Sequence, residues 1–388
     1  MTILNDAQNL FDYVREHRRD FHRHPELGFQ EKRTAAVVAD ELAGLGLEVT
    51  TGIAKTGVTA LLHGHKPGKV VLLRFDMDAL PIQEQTGVDY ASEVPGVMHA
   101  CGHDGHTAIG LAVARLLSQK REDLAGTIKF VFQPAEEGLG GAKAMVDAGV
   151  LENPKPDVAL GLHLWNEQPV GWMGITSGAI MAAAEIFEVK ITGKGSHGAL
   201  PHQGFDPVLA TAQVISALQG IVSRNLPPLE TAVVSVTSVQ GGEAFNVIPS
   251  MVELKGTIRT FTPEVRELVL ERFRQVSEGV AGSMGCRAEV LFSSITPTVV
   301  NDPGITRLVD QVAGKLFPND HIDQNFCTMG SEDMAYFMES TPGCFFMIGS
   351  ANEAKGLNAG HHHPCFDFDE QALVKGVALM AGTVLELT

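Results

Sequence analysis

The sequence predicts an α/β fold in which a mixed-sheet domain, residues 1–182 together with 296–388, is interrupted by an α+β domain at 183–295. Three observations carry this reading. Up to about residue 180, near-continuous apolar strands alternate with helical stretches, and such strands are buried on both faces of a parallel sheet covered by helices. From Ala183 the order changes to strand, helix, strand, strand, helix, strand, the split βαβ or ferredoxin-like arrangement of an independent small domain. After Ile295 the first style returns, so the small domain reads as an insertion, tolerated where chain ends lie close together on a surface.

The elements follow in order. "DAQNLFDYVREHRRDFHRHPELGFQEKRTAAVVADELAGLG" has helical apolar spacing on both sides of Pro25, with Gly44 and Gly46 closing the second helix. "VTALLHG" and "KVVLLRFDMD" are strands, "GHTAIGLAVARLLSQK" a helix, "TIKFVFQPAEEG" a strand ending at Pro134, and "DVALGLHLW" another buried strand. In the insertion, "AEIFEVKITG" alternates as a half-solvated strand. Helix "DPVLATAQVISALQGIVSR", strands "TAVVSVTSVQGG" and "MVELKGTIRTF", helix "PEVRELVLERFRQVSEGVAGSM" and strand "CRAEVLFSS" complete it. A helix near "PGITRLVDQVAGKLF", strand "CFFMIGS" and helix "DEQALVKGVALMAGTVLEL" finish the chain.

Composition narrows the function. With 29 Lys and Arg against 46 Asp and Glu, the net charge of −17 repels phosphate backbones and anionic lipid, and no basic patch offsets it. Five widely spaced cysteines are an odd number in a long chain, which argues for reduced thiols rather than a disulfide framework. The first residues show no apolar stretch ahead of a small-residue cleavage site, and no run of about 18 apolar residues follows. The expected compartment is the cytoplasm.

Ligands of an α/β sheet bind beyond the carboxyl ends of its strands, and the metal-capable residues fall there. Asp76 and Asp78 end one strand, Glu136 and Glu137 follow a second, and His163 closes a third. Cys101 and His103 precede a helix, and "HHHP" at 361–364 follows "CFFMIGS". Each signal alone is weak: paired glutamates are commonly a solvated surface, and a cysteine is commonly a small buried apolar group. Together, thiolate, imidazoles and carboxylate form the ligand set for zinc or a similar divalent ion such as manganese, cobalt or nickel. Five candidate ligands exceed one tetrahedral centre that keeps a position open. Two metals sharing a bridging ligand fit the count, and such a pair can activate water and polarise a carbonyl. The glutamate left over beside a liganding one is placed to act as general base.

With those residues assembled, the sequence resembles the aminoacylase and hippurate hydrolase group of dinuclear metallopeptidases, which includes the auxin-conjugate amidohydrolases. The motifs are "DFHRHPELGFQE", "RFDMDALPIQE", "MHACGHDGHTA", "FQPAEEGLGGA", "GLHLW", "GKGSHGALPHQGFDP", "NVIP", "GTIRTF", "GSEDM" and "HHPCFDFDE", and they span essentially the whole chain. The resemblance implies a metallopeptidase catalytic domain carrying an inserted lid and dimerisation domain. It makes Cys101 the bridging thiolate, with His103, Glu137, His163 and a histidine of "HHHP" completing two metal shells. The family's H-x-P pattern selects His362, with His361 and His363 as alternatives. Glu136 becomes general acid and base, and Asp78 orients a ligand. His99, His106 and Asp76 are left as structural or supporting residues.

In the inserted domain the resemblance assigns His197 to the oxyanion of the tetrahedral intermediate, a role an imidazole donor suits. Asn246 and Arg259 match positions that hold a substrate's free carboxylate, which a planar guanidinium can pair bidentately; His202 stays outside this set. The implied activity is hydrolysis of N-acyl amino acids to a carboxylic acid and a free amino acid by a homodimer or higher homo-oligomer using two divalent metal ions. A carboxypeptidase or dipeptidase using the same centre, on short peptides, is the nearest alternative. A non-catalytic metal-binding protein is the other.

Overall fold

The computed structural model describes residues 2–388. Helices α1 (Ile3–Asn9), α2 (Phe11–Arg23) and α3 (Lys32–Gly44) precede strands β1 (Glu48–Ile53), β2 (Gly57–His63) and β3 (Lys66–Asp76). Next come α4 (His103–Gln119), β4 (Ala125–Gln133), α5 (Gly141–Asp147), β5 (Val158–Pro169), β6 (Trp172–Gly174) and β7 (Gly178–Met181). The following stretch supplies β8 (Ala183–Thr192), β9 (Ser196–His197), α6 (Pro207–Gly220), β10 (Ala232–Gln240), β11 (Val247–Ile248), β12 (Met251–Thr260), α7 (Pro263–Ser283) and β13 (Arg287–Thr296). The chain then forms β14 (Val299–Asn301), α8 (Pro303–Leu316), β15 (His321–Asp323), α9 (Ala335–Met338), β16 (Gly343–Ala351) and α10 (Gln371–Leu387).

Two differences from the sequence reading have simple causes. The first helical stretch is divided at Leu10, whose backbone (φ −93°, ψ 5°) leaves helical geometry. Strand β1 was not expected, because "EVTTGI" is a mostly exposed edge strand without the apolar period that marks a strand in sequence. Elsewhere, starts are locally encoded: Asp206, Thr262 and Asp302 accept first-turn amides of α6, α7 and α8, each followed by proline, the favoured N-cap and first helical residue.

The chain divides into two compact units. The first comprises the chain up to Ile180, Val299–Cys327 and Asp333–Thr388. Its eight-stranded mixed sheet has the order β1-β2-β4-β3-β5-β16-β6-β15, with β4, β3, β5 and β16 parallel in its centre. Ile109 and Val113 of α4 and Val377 and Leu379 of α10 belong to its buried core, each stabilising the fold by roughly 1.5–3 kcal/mol. The register sets the site: Asp76 pairs with Gln133, and Arg74 with Gly161, so His163 lies level with the end of β3. The carboxyl ends of β3 and β4 therefore finish side by side, level with His163 on β5, which runs on to Pro169.

The second unit is Met181–Thr298 with Thr328–Glu332. Its antiparallel sheet has the order β10-β12-β8-β13, the strand order of a ferredoxin-like split βαβ domain. Phe187 and Phe273, with ring centroids 4.5 Å apart, sit in its separate core. Among the described residues, no helix is long and apolar enough to cross a membrane.

Candidate metal centre

Cys101 and His103 sit where Gly102, in the left-handed conformation at φ 88°, opens α4. Glu136 and Glu137 follow Ala135, itself at φ 55°, in the turn after β4. His163 comes from β5, and His362 from the loop after β16, with φ 64°. Non-glycine residues at positive φ are uncommon, and strained backbone of this kind clusters at functional sites.

These segments converge on one thiol. The ligand atoms of Cys101, His103 and His163 lie within 4.8 Å of one another, and so do those of Cys101, Glu137 and His362. The two groups share Cys101. Glu136 lies within the same distance of His103 and Glu137, beside the ligands. Cys101 Sγ is 3.6 Å from His163 Nε2.

Hydrogen bonds decide which imidazole nitrogens are available. His103 Nδ1 donates to the Asp78 carbonyl oxygen at 2.9 Å, and His163 Nδ1 donates to the Leu164 carbonyl oxygen at 2.7 Å. A carbonyl only accepts, so each ring, when neutral, presents its Nε2 lone pair, the arrangement typical of metal-ligating histidines. His106 is the opposite case. Its Nε2 accepts the Leu164 amide at 2.9 Å, and its Nδ1 donates to Asp76 at 2.6 Å, so it supports β5 rather than offering a lone pair. His361 Nε2 likewise accepts from the Asn166 amide at 3.2 Å. His363 Nδ1 accepts from the Cys365 amide at 3.0 Å and serves its own turn. His362 Nε2 faces Glu137 Oε1 at 3.2 Å. His99 is buried with neither ring nitrogen hydrogen-bonded, and burial pushes it down to about 4.

The donor set fits divalent cations. His103 Nε2 is buried without a hydrogen-bond partner, which is costly unless something else satisfies it. Burial alone would lower the His103 pKa, yet the Asp76 and Asp78 carboxylates hold it well above the usual imidazole value. Contacts to Cys101 and Glu137 raise His362 to about 10 against burial. The carboxylates thus favour positive charge at His103 and His362, whereas burial and the neighbouring imidazoles hold His163 well below the usual imidazole value. Asp78 touches two of the candidate ligands: its Oδ2 accepts the Glu137 amide at 3.0 Å, and its Oδ1 is 3.3 Å from His103 Nδ1. Beneath them Arg74, fully buried, binds Asp76 at 2.7 Å and Asp333 at 3.0 Å. Arg74 and Asp333 were given no role from sequence, although each lies inside a quoted motif, "RFDMDALPIQE" and "GSEDM".

The second unit carries the remaining expected residues. His197 on β9 and Asn246 next to β11 are neighbours, since His197 pairs with Val247 and the Gly198 amide donates to the Asn246 carbonyl at 2.7 Å. Both are exposed. Arg259 on β12 is half-buried, with hydrogen bonds to Thr257 Oγ1 and to the Ile258 carbonyl oxygen. Exposed His202 lies in the turn Pro201–Gln203.

A parallel-sheet edge that gathers thiol, imidazole and carboxylate into two groups around one sulfur has the build of a metal-dependent hydrolase. The chain belongs to peptidase family M20/M25/M40, whose profile matches residues 72–386. It is 43% identical over 358 residues to an N-acetylcysteine deacetylase of Bacillus subtilis, covering 92% of each chain. It is 38% identical over 378 residues to thermostable carboxypeptidase 1 of Saccharolobus solfataricus, covering 96% of this chain and 95% of that protein. The crystal structure of a Bacillus subtilis protein described as a dinuclear metal-binding peptidase of the M20 family superposes with a TM-score of 0.86 at 38% identity, covering 98% of this chain and 100% of that one. The chain is thus a hydrolase of the family that its sequence resembles, with that family's fold.

Proposed function

We propose that the protein hydrolyses the amide bond of N-acyl amino acids, with Cys101, His103, Glu137, His163 and His362 holding two divalent cations. The observation that carries this reading is the pair of ligand groups sharing Cys101, with Glu136 beside them. Zinc, manganese, cobalt and nickel all suit this mixed donor set. When bound, such a pair polarises the amide carbonyl and acidifies water. Glu136 takes the proton from the attacking water and returns it to the departing nitrogen. Arg259 and Asn246 hold the substrate carboxylate, and His197 donates to the developing oxyanion. The second unit then acts as lid and dimerisation domain of a homodimer or larger homo-oligomer, with residues 183–295 inserted between 1–182 and 296–388. The five free cysteines suit a reducing compartment such as the cytoplasm.

The deacetylase relative supports an acylated amino acid as substrate, and the carboxypeptidase relative supports a second reading in which the acyl group is another amino acid. Purified protein is assayed on N-acetyl and N-benzoyl amino acids and on unblocked dipeptides, with and without chelator. Chelator-sensitive turnover with higher kcat/KM on the acylated substrates is expected. Faster dipeptide turnover selects the carboxypeptidase reading instead.

A further inference from the structure

We propose that His361 is a positioning residue for the Cys101 thiolate, donating its Nδ1–H to Sγ while the Asn166 amide fixes its tautomer. The inference rests on the reading of Cys101 as a metal ligand.

A backbone amide can only donate, so the 3.2 Å contact from the Asn166 amide leaves His361 Nε2 unprotonated. The single proton of the neutral ring is then on Nδ1, which faces Cys101 Sγ at 3.8 Å. The ring has little freedom to turn away. Its centroid lies 5.1 Å from that of Trp165 and 5.2 Å from that of Phe366. Asn166 Nδ2 also donates to the carbonyls of Ala359 and Asp367, at 2.8 and 2.9 Å, tying the loop that carries His361 to the end of β5.

The sheet explains why this amide is available. The Ala159 amide bonds to Pro342, on the β16 side, so even-numbered amides of β5 face β3. Strand β3 ends at Asp76, level with His163, and the next two such amides, Leu164 and Asn166, extend past it. They are taken by His106 and His361. Two residues apart on one strand edge, two amides thus set two imidazoles in the same tautomer. One aims its Nδ1–H at Asp76, and the other aims at Cys101. Adjacent histidines thereby divide the work: His361 donates to the sulfur, and His362 presents Nε2 beside Glu137. A hydrogen bond to a ligating thiolate draws charge from the sulfur and fixes its orientation, which tunes the bound metal.

The test uses full-length protein loaded with cobalt(II), read by its thiolate-to-cobalt charge-transfer absorption and by chelator competition. Wild type is expected to show the band and Cys101→Ser to lose it. His361→Phe keeps an aromatic ring between Trp165 and Phe366 but lacks the donor. It is expected to move the band to longer wavelength and weaken cobalt binding about tenfold or more. His361→Asn, whose amide nitrogen can occupy the Nδ1 position, is expected to return both toward wild type. An unchanged band and affinity in His361→Phe, or equal shifts in the Phe and Asn variants, overturns the proposal while Cys101 ligation stands. A wild-type protein without the band, or a band that survives Cys101→Ser, overturns the ligation reading and the proposal with it.

Discussion

Cys101 Sγ lies 3.6 Å from His163 Nε2, whose lone pair points there because the Nδ1–H is spent on the Leu164 carbonyl. Cys101 belongs to both ligand groups and His163 to one, so their removal should differ. Cys101→Ala is expected to lower metal content from about two per chain to below one and to abolish hydrolysis. His163→Ala should retain about one. Elemental analysis of each purified variant decides, and two metals retained in Cys101→Ala would sink the shared-ligand reading.

Glu136 and Glu137 are adjacent in sequence, and the proposed function gives them different tasks. Glu137 takes the Asp78-anchored position against His362, whereas Glu136 is assigned proton transfer. Glu136→Gln is expected to keep both metals and lose about 10²–10⁴ in kcat, while Glu137→Gln loses metal. Full turnover in Glu136→Gln would remove it from the mechanism.

Much of this was legible because the fold and the ligand types are written in local patterns. Apolar runs ending in acids at Asp76 and Asp78, and in "PAEE" at 134–137, marked strand ends, and the register aligned them. What stayed hidden depends on groups distant in sequence. Histidines 361, 362 and 363 are chemically identical in "HHHP", so only the resemblance, through its H-x-P pattern, picked out His362; in the structure the Asn166 amide holds His361, the Cys365 amide holds His363, and His362 stands at φ 64°. Edge strand β1 lacked an apolar period, and the Arg74–Asp333 pair joins residues 259 positions apart.

Gly141 tests the turn that carries both glutamates. A Cβ there would stand 1.6 Å from the Pro134 carbonyl oxygen, and the Gly141 amide closes the turn onto the Ala135 carbonyl at 3.0 Å. Backbone would have to shift, so Gly141→Ala is expected to cost roughly 3 kcal/mol or more, large for one substitution, with loss of activity. Gly138, at φ 72° with open space around it, should cost only about 1–2 kcal/mol as alanine. Thermal unfolding of the two variants compares them; equal shifts would contradict the close-approach argument.

Arg259 is half-buried with hydrogen bonds to a hydroxyl and a carbonyl, and burial pushes its pKa down. A guanidinium so placed gains most from an anionic ligand. Arg259→Gln is expected to lower kcat/KM about 10–100-fold for acyl amino acids with a free carboxylate, the value of one charged hydrogen bond. The corresponding amides should be affected little. An equal loss on both substrates would mean that Arg259 does not read the carboxylate.

Asp104, next to His103, anchors a buried network whose pH dependence has a defined sign. It accepts from Arg18 Nε and His22 Nδ1, both at 2.8 Å, and Arg18 also binds Asp367 at 2.7 Å. Burial alone would raise the Asp104 pKa, but Arg18 and His22 hold it well below the carboxylate range. Its stabilisation is therefore present above the unfolded value near 3.9 and is lost as pH falls through the folded one. His22 runs the other way. Burial lowers it, yet Asp104 and Glu84 outweigh that and raise it, so its share is full below about 6.5 and is lost as pH rises through the folded value. Asp104→Asn leaves Arg18 less compensated and is expected to cost about 3–5 kcal/mol. The difference from wild type, measured by denaturant unfolding across pH 2–9, should be largest between about pH 4 and 6.5 and shrink on both sides. A difference that stays constant down to pH 2 would show that Asp104 is not held ionised by Arg18.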